Sequence, residues 1–431
     1  MLCMPSNKLL VPTLFNSRNT HLKTLAVCAV LFFAMDVVSQ SGEAVRSAHK
    51  FNGSDAGEKI TACIAALPAA GGVCDARSLT GEQRSATSIV VGSESKPVEL
   101  LLGAVTLNVS KPVTLSARSS IVGLPSGSGI GTYQGPTVIK AADDSKLPAV
   151  LELSGRLAVL QDVTIDGNKS HNTGDGTGVA VRAWRADLFR VTVQNSPGTG
   201  IAIVSNKSNE ACCPKLEKVI SINSGKAGLL IQNTGDVFVS LSEFENNGTN
   251  GVELSSSSGL RIENSDFGGN QGSGLLLYGT ASLPTAYSII VGNQFGNNTN
   301  ADIIVAGADG RKFGSLGHLI SSNGFLGGGK RPNGTRSAIE ITDSAYNIIA
   351  NNSFFSIPGH AYAACVNLSG SRERLDQINS NYCHRAEASK AEEFIGVNDT
   401  VFNGNQGRTR KAQSGIRLPF MFWLTFTFPI F

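Results

Sequence analysis

Charge is scarce in this sequence. Asp, Glu, Lys and Arg make up 16% of its 431 residues and nearly cancel, to a formal net charge of +3, so no strong field exists to hold nucleic acid or an anionic membrane. Long apolar runs are missing as well. LAVCAVLFFAM at 25–35 and the proline-interrupted LPFMFWLTFTFPIF at 418–431 both fall short of the roughly 20 residues that a membrane-spanning helix needs; no stable span is expected. No Cys-x-x-Cys pair or Cys/His cluster is present, which leaves zinc out of the expected chemistry.

What the chain does have is glycine, 48 residues of it, with abundant Asn and Ser, and a repeat. In IIANNSFF at 348–355 an apolar residue is followed three places later by a small polar one and five places later by an aromatic. The same pattern runs through Val239-Ser242-Phe244, Ile262-Ser265-Phe267, Ile290-Asn293-Phe295, Ile320-Asn323-Phe325 and Ile349-Asn352-Phe354, and with cysteine in the last place through Ile378-Asn381-Cys383. A second series in phase with it, GVAV at Gly178, GIAI at Gly200, GLLI at Gly228, GVEL at Gly251, GLLL at Gly274 and AIEI at Ala338, alternates with the period of two that marks a half-buried strand. Strands too short to be helices, recurring every 23 to 30 positions, predict an all-β fold, a right-handed parallel β-helix with one coil per repeat.

Stacked coils pair their strands in parallel at about 4.8 Å and align equivalent side chains. An inward Asn on every coil would then hydrogen-bond to its counterparts above and below; alternatively these residues occupy turns, where Asn tolerates left-handed geometry. The Phe series would form an apolar column. A solenoid grows along one axis without splitting, so one elongated domain is expected at 85–407. It is preceded by a cap at 50–84, in which Ile60, Cys63, Ile64 and Leu67 give an amphipathic helix with Ser54 or Asp55 at its N-terminus. Residues 408–431 read as a basic then apolar tail, expected to cover the last coil or, alternatively, to dock to a partner.

The apolar run at 25–35 has the length of a signal peptide, within a signal region at 1–40, and predicts a secreted or extracytoplasmic protein. Loss of that region would leave Cys63, Cys74, Cys212, Cys213, Cys365 and Cys383. Pairing is expected between Cys63 and Cys74 and between Cys365 and Cys383, with Cys212 and Cys213 either a vicinal disulfide or two thiols.

A capping helix in SDAGEKITACIAAL, a following GGV strand, and Asn/Gly-rich coils resemble the pectate lyase superfamily of right-handed β-helix proteins over roughly residues 50–407. The resemblance implies the β-helix fold and polysaccharide as the partner, with lyases, glycoside hydrolases, epimerases and non-catalytic adhesins all represented. The sequence departs from the family's usual Asp-Asp-Thr step before the helix. It also lacks the NTD, DD, GHG and RIK motifs of the polygalacturonase-like branch, having only GHL at Gly317 and RIE at Arg261. An exported lyase or glycoside hydrolase of acidic polysaccharide is expected, against the alternative of a non-catalytic polysaccharide-binding or surface rod.

The densest acidic stretch holds Glu243, Glu245, Glu253, Glu263 and Asp266, with Arg261 the nearby cation. Glu243 and Asp266 share a register position and should lie about 5 Å apart on adjacent coils. That spacing suits the carboxyl pair of a retaining glycosidase. Glu243, Asp266 and Glu263 would equally suit Ca²⁺, the one cofactor anticipated, which in a lyase bridges to a uronate while Arg261 acts as base. Solvated surface charge is the structural alternative. A second candidate is TIDGNKSHNTGDGTGVAVRAWR at 164–185, where Asp166, His171, Asp175, Arg182 and Trp184 are the kind of residues that furnish a sugar-binding groove, although DGN and GDG are also ordinary turn chemistry. Glu253, Tyr278 and Glu340 are expected to face outward on the glycine-led strands. His318 and His360 are expected to be structural or exposed.

Overall fold

The computed structural model describes residues 44–125, 135–205, 211–280, 283–307, 314–327, 336–356, 362–370, 375–384, 394–396, 399–407 and 409–411. The signal region, His360 and the apolar segment at 418–431 lie outside them. The described chain winds into a right-handed β-helix of three parallel sheets with 14, 12 and 13 strands, here called sheets I, II and III in the order the chain visits them in each coil. One coil runs through Phe238–Ser240 on sheet I, Glu243–Glu245 on sheet II and Val252–Ser255 on sheet III, and the next through Arg261–Glu263, Asp266–Gly268 and Leu275–Gly279. A further three-stranded ribbon, Thr285–Ala286, Ser315–Leu316 and Ser344–Ala345, lines the corner from III to I.

Strand length follows from the pattern. On the three-residue strands of sheets I and II only the central side chain faces inward, so Ile262, Ile290, Ile320 and Ile349 fill one side of the core and Phe267, Phe295, Phe325 and Phe354 another. Sheet III strands alternate, with Val252 and Leu254 buried and Glu253 and Ser255 outward. The phenylalanines stack from Phe244 through Phe354 with ring centroids 4.6–5.6 Å apart. Such pairs add about 0.5–1.5 kcal/mol each beyond the area they bury. Phe394 closes the column edge-on, and Cys383 takes the next register position after Phe354.

The paired asparagines of IIANNSFF do two jobs. Asn351, exposed, adopts φ 57°, the left-handed conformation that turns the chain from sheet I to sheet II. Asn352 points inward, fully covered, and belongs to a ladder running Asn293, Asn323, Asn352, Asn381 and Asn405. At Asn323 every amide valence is used. Its Oδ1 accepts from the backbone N (2.9 Å) and Nδ2 (3.0 Å) of Asn293, while its Nδ2 donates to Asn352 Oδ1 and to the Ile290 carbonyl, both at 3.0 Å. Desolvation is thereby offset by full pairing. Ser242 and Ser265 continue the ladder below Asn293. A second ladder, Ser224, Asn247, Asn270 and Asn298, follows the same rule at the corner from II to III and ends on Asp302.

The helix Ala56–Ala65 covers the first coil, with Asp55 as its N-cap: Asp55 Oδ1 accepts from Glu58 N at 2.9 Å. Ile60, Cys63 and Ile64 face the core. The solenoid overlaps the span expected for the cap, because Val45–Ser47 and Gly72–Ala76 already pair on sheet I and Gly81–Ser85 opens sheet II. It also runs past 407, since Thr409–Lys411 pairs with Phe394–Gly396. Disulfides join Cys63 to Cys74, Cys365 to Cys383, and Cys212 to Cys213. No helix of the described residues is long and apolar enough to cross a membrane.

Candidate functional site

Glu243 and Asp266 are register partners on consecutive strands of sheet II, both projecting from its outer face, with Glu245 two residues along from Glu243. Partial burial is the main force on all three and pushes each carboxyl above its ordinary range. The charge of Asp266 adds to the effect on Glu243, and the charges of Asp266 and Glu243 add to it on Glu245. On Asp266 the Phe267 backbone N–H works the other way, favouring the ionised form. Among the described residues no Lys, Arg or His forms an ion pair with any of the three.

The other members of the acidic stretch turn away. Glu263 sits on sheet I, across the Asn264–Ser265 bend, and its Oε2 takes Arg261 Nε at 3.0 Å. The expected metal triad Glu243, Asp266 and Glu263 is therefore split between two sheets, and Arg261 faces Glu263 rather than the acid pair. Glu253 faces outward from sheet III, where it accepts from Asn250 Nδ2 at 3.2 Å, and Tyr278 lies on that sheet next to Ser255. Among the described residues the one grouping of three metal-ligating side chains is Cys212, Cys213 and Asp236. Its two sulfurs are bonded to each other and supply no thiolate.

The second candidate divides similarly. Gly167 and residues 172–177 line a cleft of about 460 Å³ together with Lys146, Leu147, Pro148 and Pro197. Asp175 lines it and pairs with Lys226 at 2.9 Å. Two residues that the sequence did not single out brace this loop. Asn168 donates to the Ala141 carbonyl and to Asp143, and buried Asn172 accepts from Lys146 N and donates to the Ala142 carbonyl, so each bridges to the preceding coil. Asn168 belongs to the DGN that also reads as turn chemistry, and Asn172 carried no separate signal. His171 sits on Asn168 Oδ1 at 3.1 Å, 3.9 Å from Asp143. Asp166, on sheet II, accepts from Asn168 N and Gln194 Nε2, which ties it to the loop. Arg182 and Trp184 are not brought to this cleft. They lie past the far end of the sheet III strand Thr177–Val181, where Arg182 pairs with Glu152 at 3.2 Å and Trp184 carries the Arg185 guanidinium 4.5 Å from its ring centre. His318 is structural: buried and pushed down to about 3 by desolvation, it accepts from Ser288 N and meets Ser315 Oγ.

With the geometry in place, residues 227–416 match the family model described as the right handed beta helix region. The resemblance to the pectate lyase superfamily thus holds as a β-helix fold. Solved structures of the same fold include the A-module of a mannuronan C-5 epimerase from Azotobacter vinelandii (18% identity, TM-score 0.61, covering 86% of this chain and 96% of that one). A DFA-IIIase from Arthrobacter chlorophenolicus A6 is also similar (14% identity, TM-score 0.54, 85% and 94%). Tailspike protein 2 of an Escherichia coli O157:H7 bacteriophage matches at 13% identity and TM-score 0.53, over 83% of this chain and 46% of that one. At these identities the likeness is one of fold. No curated protein matches the sequence.

Proposed function

We propose that the protein is an exported glycoside hydrolase of polysaccharide that uses Glu243 and Asp266 as its carboxyl pair. The observation that carries this reading is the register of the two on adjacent coils of sheet II, half-buried and with no ion-paired cation among the described residues. Coil spacing sets them about 5 Å apart, the separation of a retaining pair. The Phe267 N–H favours an ionised Asp266, which suits it as nucleophile. Burial raises both carboxyls; on Glu243 the Asp266 charge adds to that rise, which suits the acid/base role. The apolar run at 25–35 and three disulfides support export. The fold is shared with an epimerase, a DFA-IIIase and phage tailspikes, which supports polysaccharide as the partner.

A lyase reading needs a free base beside the acids, and Arg261 is engaged by Glu263. Glu243 and Asp266 alone would hold Ca²⁺ only with substrate or water oxygens completing the shell. The second reading, a non-catalytic binding rod, is favoured by the placement of the cleft, on the coils of Lys140 and Asp166 and three register steps from Glu245. The purified protein, offered neutral and acidic polysaccharides with and without Ca²⁺, is expected to release reducing ends without an unsaturated product absorbing in the ultraviolet. Glu243→Gln and Asp266→Asn should each lower that rate about 100-fold or more. Unsaturated ends would make it a lyase, and binding without any release would make it a rod.

A further inference from the structure

Two outward rows of sheet II continue from the acid pair toward the C-terminal coils. One reads Asp266, Gln294, Gly324, Ser353, Tyr382 and the other Gly268, Gly296, Leu326, Phe355, His384. Three glycines thus fall on three adjacent coils, and none has the left-handed φ that would demand glycine. Packing explains one of them, since a Cβ on Gly296 would come within 2.9 Å of the Leu326 carbonyl. Packing does not explain the others. A Cβ on Gly324 would meet nothing within 4 Å, and the nearest atoms to one on Gly268 belong to the flexible side chain of Glu245, the first at 3.3 Å. A β-branched or aromatic residue would suit an exposed strand position better, so the bare floor is kept for something outside the coil.

At the far end of that floor the rings of Phe355, Tyr382 and His384 cluster, with centroids 6.0–6.4 Å apart and with Phe355 and Tyr382 each 40% exposed. Leu326, beside Phe355, is 52% exposed. Three coil spacings, roughly 14 Å, separate Asp266 from the Phe355 coil. A strip floored by Gly268, Gly296 and Gly324, flanked by Gln294 and Leu326 and ending in exposed rings, matches a sugar chain, whose pyranose faces stack on aromatic surfaces. The described rows from Glu243 to His384 hold three carboxylates and no Lys or Arg, so nothing in these rows grips a uronate, and the acids repel one.

We propose that the outer face of sheet II from Asp266 to His384 is a track for a neutral polysaccharide lying along the helix axis, with a sugar ring stacked on Phe355 and Tyr382. The proposal rests on the polysaccharide reading but not on catalysis, and it replaces the acidic substrate expected from sequence with a neutral one.

The test is affinity electrophoresis of the full chain, in EDTA, through gels containing glucomannan, mixed-linkage β-glucan, polygalacturonate or alginate. Retardation is expected in at least one neutral gel and in neither acidic one. Phe355→Ala, Tyr382→Ala and Gly324→Phe should each weaken it at least 10-fold, with melting temperature within a few degrees of the parent because the two rings face solvent and the space over Gly324 is open. Retardation by acidic gels alone, or variants retarded like the parent, overturns the track while leaving polysaccharide binding standing. A parent chain retarded by none of the gels overturns both.

Discussion

The two halves of the solenoid solve the same corner differently. At the inward position just after the bend from sheet I to sheet II, the earlier coils place Val163, Val191 and Val219, the middle coils Ser242 and Ser265, and the later coils Asn293, Asn323, Asn352 and Asn381, all buried. The preceding residue is left-handed throughout. In the earlier half it is charged: Asp162 accepts two hydrogen bonds from Arg190, one coil on, and the Arg190 guanidinium lies 4.0 Å from the Phe189 ring centre. Burial alone would raise the Asp162 carboxyl, but Arg190 and Gln161 hold it below its usual range. The earlier bends are thus tied from outside by charge and the later ones from inside by amides. The column facing this corner changes in step, from Ile165 and Val193 to phenylalanine. What is common to both halves is the register imposed by the coil, while the chemistry that fills it varies. Residues 227–416, where the family model matches, contain the amide-laddered coils.

Breaking the later half should cost most. Phe295→Ala opens the middle of the ring stack and is expected to lower stability by about 3–5 kcal/mol, read by denaturant unfolding; Val193→Ala, in the same column of the earlier half, should cost clearly less. Asn323→Val, which imports the earlier half's residue into the later half, should cost about 3 kcal/mol. It strips the acceptor from the Asn293 N–H and Nδ2 groups and the donor from the Ile290 carbonyl. If Asn323→Val is as stable as the parent, the halves are interchangeable and the comparison fails. Cys63→Ser, which unties the capping helix from sheet I, should cost about 2–3 kcal/mol under oxidising conditions and nothing further under reducing ones.

The smallest effect separates the halves by pH. Burial pushes the Asp302 carboxyl, at the end of the second ladder, up to about 7 against the hydrogen bonds from Asn298 and Tyr362. The folded state therefore binds this proton more tightly than the unfolded chain. The stability it contributes is complete below about pH 4 and is lost as pH rises through about 7. Asp162 runs oppositely, losing its contribution as pH falls through its depressed range. Melting curves from pH 4 to 8 should fall more steeply for the parent than for Asp302→Asn; parallel curves would show that Asp302 ionises freely.

The later half was legible from sequence because Asn and Phe stand out against the valine, isoleucine and leucine of an ordinary core. The series could be followed from Val239 onward. The earlier half, with Val191 and Val193 in the equivalent places, offered no distinctive marker. The helix at Ala56–Ala65 and the pairing of Glu243 with Asp266 were also readable, since each depends only on spacing. What spacing could not reveal is which sheet a residue faces. Glu253 and Glu263 lie within twenty residues of Glu243, yet the left-handed Asn246 and Ser256 put corners between them and turn each onto a different sheet. The ring cluster of Phe355 and Tyr382, 27 positions apart, becomes visible only once the loop between them is known to close one coil.

Native-state hydrogen exchange tests the stacking most directly. The backbone amides of Asn293, Asn323 and Asn352 each donate to the side chain one coil above, so they are expected to exchange only through global unfolding, among the slowest in the chain. Exchange of these three amides within minutes, at the rate of exposed bends, would show that the ladder does not hold the coils together.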